Sequence, residues 1–122
     1  MSAAEYLSYL YLEGGRAKEC LEVCESILLK IEDTPEEFEL TLHLHNNRAA
    51  ALNMLGRYSE SIMVLEKCLR SRRKNYFYKN LADAYFCLGI PEKASMNYEK
   101  AVKLDTEYDE AYYNLAVTQF MQ

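Results

Sequence analysis

Tryptophan is absent, and glycine and proline are scarce, at 4 and 2 of 122 residues. A loop-rich scaffold stapled by disulfides needs more of both, so long uninterrupted elements are expected. No apolar run approaches the roughly 18 residues that span a bilayer. The opening Met1-Ser2-Ala3-Ala4-Glu5 lacks the basic-then-apolar order of a secretory signal. Positive charge is also in deficit: 14 Lys and Arg against 19 Asp and Glu leave a net charge of −5. Nucleic-acid partners favour a basic face, so none is expected here, and no membrane partner either. What is present is globular: 50% hydrophobic and 27% charged residues in a length that suits one domain.

Motifs that carry chemistry are missing as well. There is no phosphate-binding glycine loop, no nucleophile elbow and no zinc-protease helix signature. His43 and His45 lie two apart on one helix and point about 200° apart, so one metal ion cannot take both. Cys20 and Cys24 are one helical turn apart, and small buried hydrophobes are the better reading than zinc ligands. Cys68 and Cys87 complete the set, with Cys87 the more exposed. All four are read as free thiols in a reducing compartment, which points to the cytoplasm. No cofactor, metal or catalytic residue is assigned, and a non-enzyme is expected.

The informative feature is repetition. Gly15, Gly56 and Gly89 each separate two helical stretches. Residues 47–69 align without a gap within residues 80–104. Ala49, Leu52, Gly56, Ile62, Leu65 and Cys68 fall under Ala82, Tyr85, Gly89, Ser95, Tyr98 and Ala101. An upstream copy carries Leu7, Tyr11, Gly15, Cys20, Cys24 and Ile27. A partial copy over residues 109–121 sets Tyr112, Leu115 and Ala116 under Tyr78, Leu81 and Ala82. The interval from Gly56 to Gly89 is shorter than that from Gly15 to Gly56, where extra residues separate the first two copies.

A helix–turn–helix unit of about 34 residues resembles the tetratricopeptide repeat. The resemblance runs over nearly the whole chain. The third copy carries it best, with Y-x-x-L-A-x-x-Y-x-x-x-G followed by A-x-x-x-Y-x-x-A. It implies an all-α, right-handed α-solenoid of three repeats, at about 1–34, 42–74 and 75–108. A C-terminal half-repeat at 109–122 makes seven antiparallel helices in a single domain. Small residues (Ala49, Ala82, Ala94, Ala101, Ala116) let helices approach, and larger ones (Tyr11, Leu65, Tyr85, Tyr98) fill between layers.

Two departures stand out. Asp33-Thr34-Pro35-Glu36-Glu37 reads as a helix start, with Thr34 as cap and Glu37 closing a capping box. The helix to about Leu55 would then hold about 21 residues and run roughly 31 Å. The cluster Arg70, Arg72, Arg73 and Lys74 suits a helix C-terminus. Its alternatives are an acidic protein partner, a nuclear-localisation patch or RNA, the last disfavoured by the acidic total.

The resemblance implies a concave groove lined by the first helix of each copy. Its register assigns Ser2, Glu5, Tyr9 and Leu12, then His43, Asn46, Ala50 and Asn53 with Asn47 beside them. Tyr76, Lys79, Asp83 and Phe86 follow, with Asn80 beside them, and then Glu110, Tyr113, Val117 and Phe120. Aromatic anchors and amides suit a peptide or partner subunit, as in an adaptor or scaffold of a multiprotein complex.

The run N-R-A-A-A-L-x-x-L-G-R-Y from Asn47 is similar to co-chaperone repeat domains, which clamp two carboxylates. Asn47 matches the clamp asparagine, whereas Glu5, Tyr9, Tyr76 and Asn80 replace the other clamp positions. Glu5 would repel such a ligand. Another alternative is homo-oligomerisation through the C-terminal helix, whose Tyr113, Val117, Phe120 and Met121 are apolar for a terminal cap.

Overall fold

The computed structural model describes residues 2–31 and 34–122. Met1, Glu32 and Asp33 lie outside the described residues, and with them one member of the expected helix start. The described residues hold seven α-helices, one 3-10 turn and no strand. They form two compact units, Met1–Arg57 and Tyr58–Gln122.

The first unit contains α1 (Ala3–Glu13), α2 (Ala17–Lys30) and α3 (Phe38–Met54). The second contains α4 (Tyr58–Ser71), α5 (Asn75–Cys87), α6 (Pro91–Leu104) and α7 (Asp109–Met121). In the first unit α2 packs on α1 and α3, and α1 also reaches α3. In the second unit α4 packs on α5, α5 on α6 and α6 on α7. Packing on the next helix in sequence is how a repeat shares a core that it cannot bury alone.

The glycines end α1, α3 and α5 in one way. Gly15, Gly56 and Gly89 have φ of 71, 77 and 78°. That left-handed turn lets the next residue's N–H reach back into the helix. Arg16 donates to the Tyr11 carbonyl at 2.7 Å, Arg57 to Leu52 at 2.8 Å and Ile90 to Tyr85 at 3.0 Å. Each closes a Schellman-type cap. At the other ends, Ser2 Oγ accepts from the Glu5 N–H at 3.1 Å and Pro91 starts α6.

The core follows the repeat columns. In the second unit Ala82, Ala94 and Tyr98 are buried together, with Tyr85, Phe86 and Leu115 packed against them. Ala101, Val102 and Ala111 form the next layer, with Tyr78, Tyr108 and Leu115 beside them. In the first unit Cys20, Cys24, Ala49 and Leu52 are buried. All four cysteines are free, and Cys87 alone is exposed.

Three expectations are corrected. Thr34 and Pro35 do begin a helical segment, but Pro35–Glu37 is a 3-10 turn and Thr34 makes no side-chain cap bond. Glu37 instead meets Thr34 through its backbone N–H, at 3.1 Å from the Thr34 carbonyl, so there is no capping box. The α-helix that follows has 17 residues. Next, the repeat columns place Leu7 with the buried Ala49, yet Leu7 is exposed and Ser8 is buried. The offset that carries Gly15 onto Gly56 carries Ser8 onto Ala49, and Leu7 is one position out of register. Finally, Ala116 is exposed although Ala82 and Ala49 are buried. Among the described residues no helix follows α7 to cover it.

Candidate protein-binding faces

In the first unit, the amide of Asn47 on α3 donates to Ser8 Oγ on α1 at 2.8 Å. Ser8 in turn donates to the Glu5 carbonyl at 2.9 Å. The Asn47 carbonyl lies 3.7 Å from Cys20 Sγ, which donates a weak bond to it. The hydrogen bond with Cys24, together with burial, holds the Cys20 thiol above its ordinary range. Asn47 therefore joins α1, α2 and α3. Its amide already has a partner in the chain, unlike one held open for a ligand carboxylate. Tyr9 is exposed, while His43, Asn46, Ala50 and Asn53 are half-buried on α3.

In the second unit, Lys79 on α5 is the centre. Its Nζ lies 2.8 Å from Asp83 and 2.7 Å from Glu110 on α7. Burial alone would lower the lysine's pKa, but the carboxylates of Asp83 and Glu110 outweigh it and raise the value. Asp83 also accepts from the Tyr98 hydroxyl and from the Asn114 amide, the latter at 3.3 Å. Burial, reinforced by Asp83, raises the pKa of Tyr98. One carboxylate thus collects donors from α5, α6 and α7.

The spacing explains the arrangement. Lys79 and Asp83 are four apart, and so are Glu110 and Asn114, which places each pair on one face of its helix. Aligned, the two helices alternate donor and acceptor. Two carboxylates against one lysine leave the cluster one negative charge in excess. Lys79 is only 14% exposed in its side chain and is occupied by both acids. It does not offer a ligand an open cation.

Aromatic surface flanks the cluster. Tyr113 is 71% exposed, one turn beyond Glu110 on α7. Tyr76, Phe86 and Val117 are half-buried, and Phe120 is 90% exposed. Asn80 differs: at 7% exposure it has little surface to give.

Ser8, Tyr98 and Asn114 are site residues that the groove register misses. A strict glycine-to-glycine offset flags Ser8. Asn114 aligns with Asn80 of the preceding repeat, which marks it as a repeat position. Nothing in the periodicity marks the Tyr98–Asp83 bond.

Of the basic cluster, Arg70 lies in the last turn of α4, and Arg72 donates to the Ser71 carbonyl at 3.0 Å. Both complement the carbonyl end of the helix. No helix among the described residues is long and apolar enough to cross a membrane.

Family models of tetratricopeptide repeats match residues 42–75 and 82–122. No curated protein matches the chain in sequence. Among solved structures, the first tetratricopeptide domain of human RPAP3 is similar over 95% of this chain and 87% of that one. The identity is 19% and the TM-score 0.78. TTC0263, a thermophilic tetratricopeptide protein of Thermus thermophilus, is similar over 97% of this chain and 80% of that one. Here the identity is 16% and the TM-score 0.60. At these identities the likeness shows the fold, while the two repeat matches carry the family. The chain belongs to the tetratricopeptide-repeat family, whose repeats generally mediate protein–protein interaction.

Proposed function

We propose that this chain is a non-catalytic binding module that holds a peptide segment of a partner protein on the α5–α7 face of its second unit. The observation that carries the reading is the exposed Tyr113 ring beside the Lys79–Asp83–Glu110 cluster. An aromatic side chain loses little conformational freedom on binding and offers large area. The surplus carboxylate favours a segment bearing Lys or Arg over one ending in acidic groups. The same charge argument weighs against a co-chaperone-like clamp, in which fixed cations must meet carboxylates. Tyr9, His43, Asn46 and Asn53 of the first unit form a second candidate surface for the same partner.

The role is that of an adaptor or scaffold within a multiprotein complex, in the cytoplasm. Selection from a displayed peptide library tests it. Peptides with an aromatic or aliphatic anchor next to a basic residue are expected, and Tyr113→Ala should weaken them by about tenfold or more. Recovery of acidic C-terminal peptides, lost on amidation, would support the clamp instead. Lys79→Glu is a poor probe, because it breaks the bond between α5 and α7 as well as changing the surface.

A further inference from the structure

The charges of the second unit are unevenly placed. Its nine Lys and Arg equal its nine Asp and Glu, so the whole net charge of −5 belongs to the first unit. Yet residues 67–82 contain six bases and no acid. They run from the last turns of α4, through the 72–74 link, into α5. The end of α6 joins them. Asn75 donates to Asp105 at 3.4 Å, and the Lys100 ammonium stands 5.6 Å from the centre of the Tyr78 ring. These contacts bring the last turn of α6, with Lys103, to the same end of the unit as Arg73 and Lys74.

Lys79 is committed to Asp83 and Glu110, but the other cations differ. Among the described residues, Lys67, Arg70, Arg73, Lys74 and Lys103 pair with no carboxylate. All but Lys74 are exposed. Acids close in sequence are held elsewhere. Glu66 accepts from the Tyr85 hydroxyl at 3.3 Å and Glu99 from the Gln119 amide at 3.4 Å. Asp105 accepts from Asn75 and from the Glu107 N–H. Helix ends account for part of the cluster, since Arg70 and Lys103 lie in the last turns of α4 and α6, where a cation is favoured. Arg73 and Lys74 have no such reason. They precede α5, whose first turn holds no acid, and the helix dipole opposes a cation there. Gathering like charges at one end also costs self-repulsion.

We infer that this end of the second unit, built from the ends of α4 and α6 and the 72–74 link, docks an acidic segment of a partner protein. Carboxylates spaced along a flexible chain match cations spread over three elements. Each exposed pair is weak, and the sum steers association and selects the partner. Protein carboxylates fit better than RNA phosphates, because the chain as a whole is acidic and Glu107 and Asp109 follow Asp105 at this end. The residues are distinct from Tyr113 and the carboxylates of the α5–α7 face, so either proposal can fail without the other.

Fluorescence anisotropy tests the proposal with a labelled peptide of about six glutamates alternating with serine. Its C-terminus is amidated, so no terminal-carboxylate clamp is probed. A dissociation constant on the order of 100 µM is expected at about 50 mM salt, weakening about tenfold by about 200 mM. Arg73→Glu combined with Lys103→Glu should weaken binding at least about tenfold. Lys18→Glu combined with Lys30→Glu makes the same change in net charge on exposed positions of the first unit, and should alter binding less than about twofold. Circular dichroism should stay helical in both. Amide shifts of the unaltered protein should be largest at residues 70–75 and 103. Absence of binding at low salt overturns the proposal, and so does an equal loss in the two double variants. Shifts lying elsewhere overturn it as well. An oligouridylate of equal charge that binds more tightly than the peptide would assign this end to RNA and overturn it too.

Discussion

Lys79 and Glu110 meet at 2.7 Å, and through them α5 is bonded to α7 across the end of the second unit. The two ends of this pair are unequal. The lysine is nearly enclosed and also holds Asp83, while the glutamate is 62% exposed.

Replacement should reflect that asymmetry. Lys79→Met strips Asp83 of its counter-charge in a partly buried setting and should cost about 2 kcal/mol. Glu110→Gln removes a solvent-screened partner and should cost less than about 1 kcal/mol. Urea denaturation of both variants checks the order, and a larger loss in Glu110→Gln would contradict it.

Stability should fall at alkaline pH. Lys79, Tyr98 and Tyr108 all have raised pKa values. For Lys79 burial opposes and the two carboxylates prevail. For both tyrosines burial is the main cause. A raised folded value means that the native state holds its proton more tightly than the unfolded chain. The stabilisation is then complete below about pH 10 and is lost as pH climbs toward the folded values. The melting temperature should therefore decline above about pH 10. Tyr98→Phe should start lower by about 1–2 kcal/mol, through loss of the bond to Asp83, and decline less steeply.

In the first unit, Ser8→Ala should cost about 1–2 kcal/mol, because the Asn47 amide loses its acceptor. A double-mutant cycle with Asn47→Ala should show that the two losses are not additive. Additive losses would mean that the 2.8 Å bond contributes nothing.

Two alanines in one repeat column should behave oppositely. Ala82→Leu forces bulk between α5 and α6 and should cost about 1–3 kcal/mol. Ala116→Leu adds the same bulk to an exposed face and should leave stability within about 0.5 kcal/mol. Glycines divide similarly. Gly89→Ala meets no atom within 4 Å, yet its φ of 78° should cost about 1 kcal/mol or more. Gly14→Ala, at φ −82°, should be nearly neutral. Thermal melts of the four variants give both comparisons.

These contrasts show what the sequence makes legible. Repeat columns reveal which side of a helix is apolar, so spacing alone assigns Ala49, Ala82, Ala94 and Ala101 to close packing. Columns do not reveal what covers a face, which is why the same spacing misplaces Ala116. Loop glycines are legible because only glycine takes a left-handed φ at so little cost. The start of α3 is legible only in part, since Thr34 and Pro35 mark a helical start without specifying 3-10 geometry. Polar bonds between helices are the least legible. Asp83 meets Tyr98 and Asn114, 15 and 31 residues away, and no local periodicity encodes either pairing. Register places Lys79 and Asp83 on one face, but their mutual neutralisation needs three-dimensional distances.

The most direct measurement is amide chemical-shift mapping with a selected peptide carrying an apolar anchor and an adjacent basic residue. Binding on the α5–α7 face predicts the largest shifts near Tyr76, Lys79, Asp83 and Tyr113, with Tyr112 and Ala116 little changed. Shifts confined to α4 or α6, with Tyr113 silent, would contradict the account.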